Sequence, residues 1–232
     1  MECTLVFVHG AGNNKKVWEP LLEHIEGKTL PLELPGHGDT PGDGADSIEE
    51  YARWVKDRVE EEGLESVVLV GHSMGGAIVQ KLLADNPSWL KGAVLVSTGA
   101  KLKVNPAIIE GLQKDPASMC KKIAGWAVAK GAPEKIREFV ESIFCSARPD
   151  VVVKDFAACD RFSGEEYCKK AQVPVLIAVG SEDVMTPLKL SQKLKELIPS
   201  STLKVIDGAG HMLQVERPAE LAELIVDFVS RL

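Results

Sequence analysis

Six short runs rich in Val, Leu and Ile constrain this chain more than any other feature: Thr4–Val8, Thr29–Leu34, Ser66–Val70, Ala93–Val96, Val173–Val179 and Leu203–Ile206. They are nearly continuous in apolar residues rather than alternating, as expected of strands covered on both faces, and that describes a parallel sheet. Between them, Val17–Glu26, Ile48–Glu62, Met74–Asp85, Pro187–Leu197 and Pro218–Leu232 place apolar residues three to four positions apart and read as crossover helices. Right-handed crossovers then build an α/β fold with a doubly wound, mainly parallel sheet of about six strands.

One long segment breaks this alternation. From Ala100 to Cys168 no strand pattern is visible, while Ile108, Leu112, Met119, Ile123, Trp126, Ile136, Phe139, Val140, Ile143 and Phe144 fall at helical spacings. An insertion of this size is too long for a plain connection, so residues 100–168 read as a helical cap, and 1–99 with 169–232 as the core. Most of the cap's apolar residues serve to pack it on the core.

Hydrophobic residues at 45% and charged ones at 26% exclude a disordered chain, and 232 residues are enough to bury a core without staples. A net charge of −7 argues against nucleic acid as a partner, which wants clustered surplus Lys and Arg. No apolar stretch reaches the roughly 18 residues of a membrane span. Cys3, Cys120, Cys145, Cys159 and Cys168 are odd in number and lack C-x-x-C spacing, so they read as free thiols in a reducing compartment. The start, Met1-Glu2-Cys3-Thr4, enters a strand-like run with no basic leader, and the expected location is cytoplasmic.

The strongest local signal is Gly71-His72-Ser73-Met74-Gly75-Gly76, where a buried strand runs into a serine between glycines and then into a helix. A sharp strand-to-helix turn lifts the serine oxygen above the sheet, and residues two before and two after must be small for the backbone to close. The new helix aims its free N–H groups at developing negative charge. A serine hydroxyl is a poor nucleophile at neutral pH and needs a base, which in turn needs an orienting group.

Of five histidines, His72 lies inside the turn with its side chain expected to point away from the serine oxygen, and His24 lies in a helical pattern. His211 follows the sixth strand in Asp207-Gly208-Ala209-Gly210-His211. Parallel strands put their carboxyl ends on one side, so Ser73 and His211 can meet there. Glu182 and Asp183, after the fifth strand, are both candidates for the orienting acid, and Asp183 is preferred. After the first strand, His9-Gly10-Ala11-Gly12 lets a backbone N–H turn towards the serine, so the N–H groups of Ala11 and Met74 are candidate oxyanion donors. His9 reads as a structural residue of that loop. No cluster has metal-ligand spacing and no dinucleotide fingerprint is present, so neither metal nor organic cofactor is expected.

In the order nucleophile, acid, histidine, the chain resembles the α/β-hydrolase superfamily over nearly its whole length. Four motifs carry the resemblance: His9-Gly10-Ala11-Gly12, Gly71-His72-Ser73-Met74-Gly75-Gly76, Gly180-Ser181-Glu182-Asp183 with Pro187, and Gly208-Ala209-Gly210-His211. Leu34-Pro35-Gly36-His37-Gly38-Asp39 resembles a further loop of these enzymes. The resemblance implies Ser73 as nucleophile, Asp183 as acid, His211 as base, and Ala11 and Met74 as oxyanion donors. Family members usually carry a pair of strands before the His-Gly strand, whereas two or three residues precede it here. A six-stranded sheet with Thr29–Leu34 at its edge is therefore expected, and Pro31 suits an edge.

These residues lead to the expectation of a serine hydrolase cleaving a small-molecule carboxylic ester through an acyl-enzyme, with Trp126, Phe139 and Phe144 lining an acyl or aryl pocket. The alternatives are a lyase resembling the menaquinone-pathway synthase, although Gly75-Gly76-Ala77 lacks the arginine usual there, and a hydrolase-like receptor with slow turnover. Residues 100–148 carry nine Lys or Arg against five acids, leaving −11 for the rest. A basic cap on an acidic body would steer an anionic substrate, and a solvated helical surface explains the same surplus.

Overall fold

The computed structural model describes residues 3–232, so Met1 and Glu2, the start expected to lead into the first strand, lie outside it. Six strands form one sheet: β1 (Thr4–Val8), β2 (Thr29–Leu32), β3 (Val67–His72), β4 (Leu90–Val96), β5 (Val175–Gly180) and β6 (Thr202–Ile206). Their order is β2-β1-β3-β4-β5-β6 and every neighbouring pair is parallel. Burial follows that order. All residues of β1, β3 and β5 are buried, whereas β2 and β6 at the edges are partly exposed. Pro31 stands opposite Phe7 in β2, where no second neighbour needs its missing N–H.

The chain leaves β1 to one side to form β2, then crosses back to β3 and continues in the other direction. Such a reversal opens a crevice beyond the carboxyl ends of β1 and β3. The loop after β1 and the turn after β3 both open into it.

On the faces lie α1 (Glu19–Leu22), α2 (Ile48–Glu61), α3 (Met74–Asp85), α9 (Leu188–Leu197), α10 (Leu213–Glu216) and α11 (Pro218–Val229). Helix α3 is apolar nearly all round, with Met74 to Gln80, Leu82 and Leu83 buried, as befits a helix packed between sheet and insertion. The expected helix Val17–Glu26 is a 3₁₀ turn, Lys15–Trp18, followed by the single turn of α1. Pro20 has no N–H for the Lys16 carbonyl, so the helix restarts there.

Between β4 and β5 come α4 (Pro106–Lys114), α5 (Pro116–Ala127), α6 (Glu134–Ser146), α7 (Pro149–Arg161) and α8 (Glu165–Cys168), a helical cap on the sheet. Asn105 and Asp115 cap α4 and α5 by accepting from the N–H groups of Ala107 (3.0 Å) and Ser118 (3.1 Å). Prolines in the first turn of α4, α5 and α7 cost no hydrogen bond. A bridge between Lys101 and Ser163, with Gly164 N–H donating to Ala100 at 2.7 Å, closes the base of the insertion.

One expectation is overturned. Cys120 of α5 and Cys145 of α6 form a disulfide, with Cα atoms 5.3 Å apart and a sequence separation of 25, and only Cys3, Cys159 and Cys168 are free. The pairing depends on how two helices of the insertion pack, which no local cysteine spacing records. The thiol argument for a reducing compartment thereby loses its premise. Among the described residues no helix is long and apolar enough to cross a membrane.

Candidate active site

Ser73 joins β3 to α3 with φ 54° and ψ −116°, a conformation costly for a residue with a side chain. The neighbours explain how it is held. Its N–H donates to the Val96 carbonyl at 3.0 Å, and its carbonyl accepts from the Gly76 N–H at 2.9 Å and the Thr98 hydroxyl at 2.7 Å. A Cβ on Gly71 would strike the Gly75 carbonyl, and one on Gly75 would strike the Val8 carbonyl of β1. The small residues two before and two after the serine are therefore required by backbone contact.

His211 is buried in the loop after β6, and its Nδ1 lies 3.0 Å from Asp183 Oδ2. The Asp183 carboxylate also accepts from the N–H groups of Met185 (2.9 Å) and Thr186 (2.8 Å) and from the Thr186 hydroxyl (2.7 Å). Burial works to raise this carboxyl, but the charge and hydrogen bond of His211 and the Thr186 donors outweigh it and hold it below its ordinary value. Thr186 is the participant that sequence reasoning missed. Its position three residues after Asp183, before Pro187, was a readable signal, because an Asp side chain often takes the N–H groups that follow it. Glu182, the other candidate acid, points away: its Oε2 accepts from Lys130 N–H at 3.3 Å.

The His211 loop is fastened from several sides. Its carbonyl accepts from His72 Nε2 at 3.0 Å, which fixes the His72 tautomer because a carbonyl only accepts. Burial first, and the neighbouring His211 second, push His72 down to about 3, so it is neutral. The N–H groups of His211 (3.0 Å) and Met212 (2.9 Å) both donate to Ala127 at the end of α5. Glu216, buried in α10, takes Gly210 N–H at 3.0 Å with one oxygen and Ala129 N–H at 2.8 Å with the other.

Ser73, His211, Thr186 and Ala11 line one cavity of about 720 Å³, roofed by residues of α4, α5 and α7 that include Trp126 and, at its edge, the exposed Lys122. Lys103, in the stretch before α4, lies at the same edge. Met74, fully buried, opens α3 beside the serine. The N–H groups of Ala11 and Met74 have no acceptor among the described residues. The aromatic expectation needs correction for two of three residues. Phe144 lines a separate apolar cavity of about 240 Å³ beside Cys120 and Cys145, and Phe139 packs half-buried against the core, because both lie on α6, outside the large cavity's roof. His24 is exposed and His9 is buried away from the cavity lining.

The sequence profile of the alpha/beta hydrolase family matches residues 5–224. The chain is similar to a thermophilic esterase of known structure, with 35% identity, a TM-score of 0.88, and 98% of this chain and 89% of that one covered. It is 26% identical over 245 residues to a pimeloyl-(acyl-carrier protein) methyl ester esterase of Neisseria meningitidis, covering 96% of this chain and 75% of that protein. It is also 27% identical over 237 residues to the dihydrolipoyllysine-residue acetyltransferase component of the acetoin cleaving system of Cupriavidus necator. There it covers 96% of this chain but spans only 62% of the relative's length.

Proposed function

Because the chain belongs to the alpha/beta hydrolase family, we propose that it is an esterase that cleaves a small-molecule carboxylic ester through an acyl-enzyme on Ser73. In this mechanism the Ser73 oxygen attacks the ester carbonyl carbon while His211 Nε2 takes the hydroxyl proton. The oxyanion of the tetrahedral intermediate is met by the N–H groups of Ala11 and Met74. Collapse breaks the bond to the alkoxy oxygen, which leaves with the proton from His211. A water molecule, giving its proton to His211, then attacks the acyl carbon and releases the carboxylic acid, returning the proton to Ser73. Asp183 keeps Nδ1 of His211 protonated and steadies the imidazolium.

A single observation carries this reading: His211, held by Asp183 at one ring nitrogen, lines the same cavity as Ser73. Residues 100–168 form the cap in it, over a core of 1–99 and 169–232. Trp126 offers an apolar wall, and the ammonium groups of Lys103 and Lys122 at the cavity's edge favour a substrate with an anionic end distant from the ester.

The test is hydrolysis of p-nitrophenyl esters from acetate to dodecanoate by the protein and by Ser73→Ala, with fluorophosphonate labelling alongside. Expected is turnover that falls by about 10⁴-fold or more in Ser73→Ala without loss of folding. Undiminished turnover in that variant, or labelling of Ser73 without any ester turnover, overturns the reading.

A further inference from the structure

Asp155 of α7 is fully buried, and its carboxylate gathers three separate parts of the core. Oδ2 accepts from Gly12 N–H at 2.9 Å and faces His37 Nε2 at 2.8 Å, while Oδ1 accepts from the Tyr51 hydroxyl at 2.6 Å. Gly12 follows β1, His37 follows β2 and Tyr51 lies on α2. None of these groups lines the large cavity.

His37 Nδ1 faces the Pro35 carbonyl at 3.0 Å, which only accepts, and Nε2 faces a carboxylate oxygen already accepting from Gly12. Both ring nitrogens face acceptors, the arrangement of an imidazolium that donates to the Pro35 carbonyl and to Asp155. Burial lowers the affinity of His37 for its proton, but the Asp155 hydrogen bond and charge raise it above its ordinary value. The other titratable groups packed here stay neutral. His9, with ring centroids 4.8 Å from His37, accepts from Leu34 N–H at 3.1 Å, and burial first and His37 second lower it well below its ordinary value. Burial and then Asp155 raise both Tyr51 and Cys159.

The Gly12 contact bears directly on the oxyanion loop. Gly10 to Asn13 form a turn, closed by Asn13 N–H on the Gly10 carbonyl at 3.3 Å, with Gly12 at φ 63°. The Ala11–Gly12 peptide is pinned at both ends: its N–H on Asp155 and its carbonyl on Asn13 Nδ2 at 2.8 Å. The Gly10 carbonyl is held as well, by His9 Nδ1 at 2.9 Å. With the peptides on either side of Ala11 fixed, the free Ala11 N–H has one direction.

We propose that Asp155 is a positioning residue for the ester cleavage proposed above: paired with protonated His37, it fixes the Ala11–Gly12 peptide and so aims the Ala11 N–H at the oxyanion. This rests on the esterase reading, and it makes the insertion a supplier of oxyanion geometry as well as a roof.

The test compares Asp155→Asn, and Tyr51→Phe as a milder variant that keeps the carboxylate, with the unaltered protein. The readouts are kcat and KM on p-nitrophenyl esters and the rate of fluorophosphonate labelling of Ser73, whose phosphonyl oxygen needs the same donors. Asp155→Asn is expected to lower kcat and the labelling rate by about 10- to 100-fold, with KM changed by less than about threefold, since misplacing a donor weakens the transition state more than the ground state. Tyr51→Phe is expected to lower both rates by about threefold, and it decides the matter if Asp155→Asn does not fold. Unchanged rates in either folded variant, or losses in KM alone, overturn the proposal. An unaltered protein that labels but does not hydrolyse esters overturns the esterase reading, and the labelling ratio still decides the role of Asp155. One that neither labels nor hydrolyses overturns both.

Discussion

Two buried histidine–aspartate pairs sit at the same end of the sheet, and they differ at one ring nitrogen. In the His211–Asp183 pair, 3.0 Å apart, only Nδ1 is engaged, and the ring lines the large cavity. In the His37–Asp155 pair, 2.8 Å apart, the second nitrogen is closed by the Pro35 carbonyl and the ring lies away from the cavity. The first arrangement can take a proton from a reacting group and return it; the second holds its proton and behaves as a fixed pair of charges. Residue type does not separate a proton carrier from a brace. What separates them is the occupancy of the free nitrogen.

The largest expected effect comes from breaking the open pair. Asp183→Asn leaves the size unchanged but removes the acceptor that sets the His211 tautomer, and kcat should fall by about 10⁴-fold in steady-state assays. That is well beyond the loss expected for Asp155→Asn, and equal losses at the two aspartates would abolish the distinction drawn between the pairs.

Next in size is the disulfide, which belongs to the His211 side because α5 carries the Ala127 carbonyl that takes the His211 and Met212 N–H groups. Cys145→Ser should lower unfolding free energy in a denaturant titration by about 3 kcal/mol, as for a loop of this length. The Asp155 contacts, which hang on α7, should survive, so Gly12 N–H should keep its protection from hydrogen exchange while that of His211 falls.

The smallest effect is a difference in pH dependence, and the two pairs have opposite signs. Asp183 is held below its ordinary value of 3.8, so its contribution is present above that pH and is lost as pH falls through the lower folded value. His37 is raised above 6.5, so its contribution is complete below that pH and is lost as pH rises through the higher folded value. Melting temperatures against pH should therefore lose part of their alkaline decline in His37→Gln and part of their acid decline in Asp183→Asn. An unchanged alkaline limb in His37→Gln would show that His37 carries no proton gained on folding.

Much of the fold was legible because burial on two faces imposes a composition. The runs at Thr4–Val8 and Val175–Gly180 have no polar face, and Pro31 could stand only at an edge. The strand-to-helix turn was legible because the turn itself forbids a Cβ at Gly71, which would strike the Gly75 carbonyl four residues on, although Gly75 answers to the distant Val8 carbonyl of β1. Thr186 could have been found by the same local logic. Asp155 could not: its partners lie 143, 118 and 104 residues away, and on α7 it is one acid among the polar residues of a helix. The pairing of Cys120 with Cys145, and the division of the aromatic residues between two cavities, depend likewise on which helix faces meet.

The sequence by itself determined the parallel α/β sheet, its edge, the strained serine turn and the placement of Asp183 and His211 beyond strand ends, since each is written in residues close along the chain. Only the tertiary structure decided which buried histidine keeps a nitrogen open to the cavity, which cysteines pair, and that α7 reaches the oxyanion loop. Those outcomes are set by contacts between elements far apart in sequence, and a residue's type does not state which distant group will occupy its last free hydrogen-bonding atom.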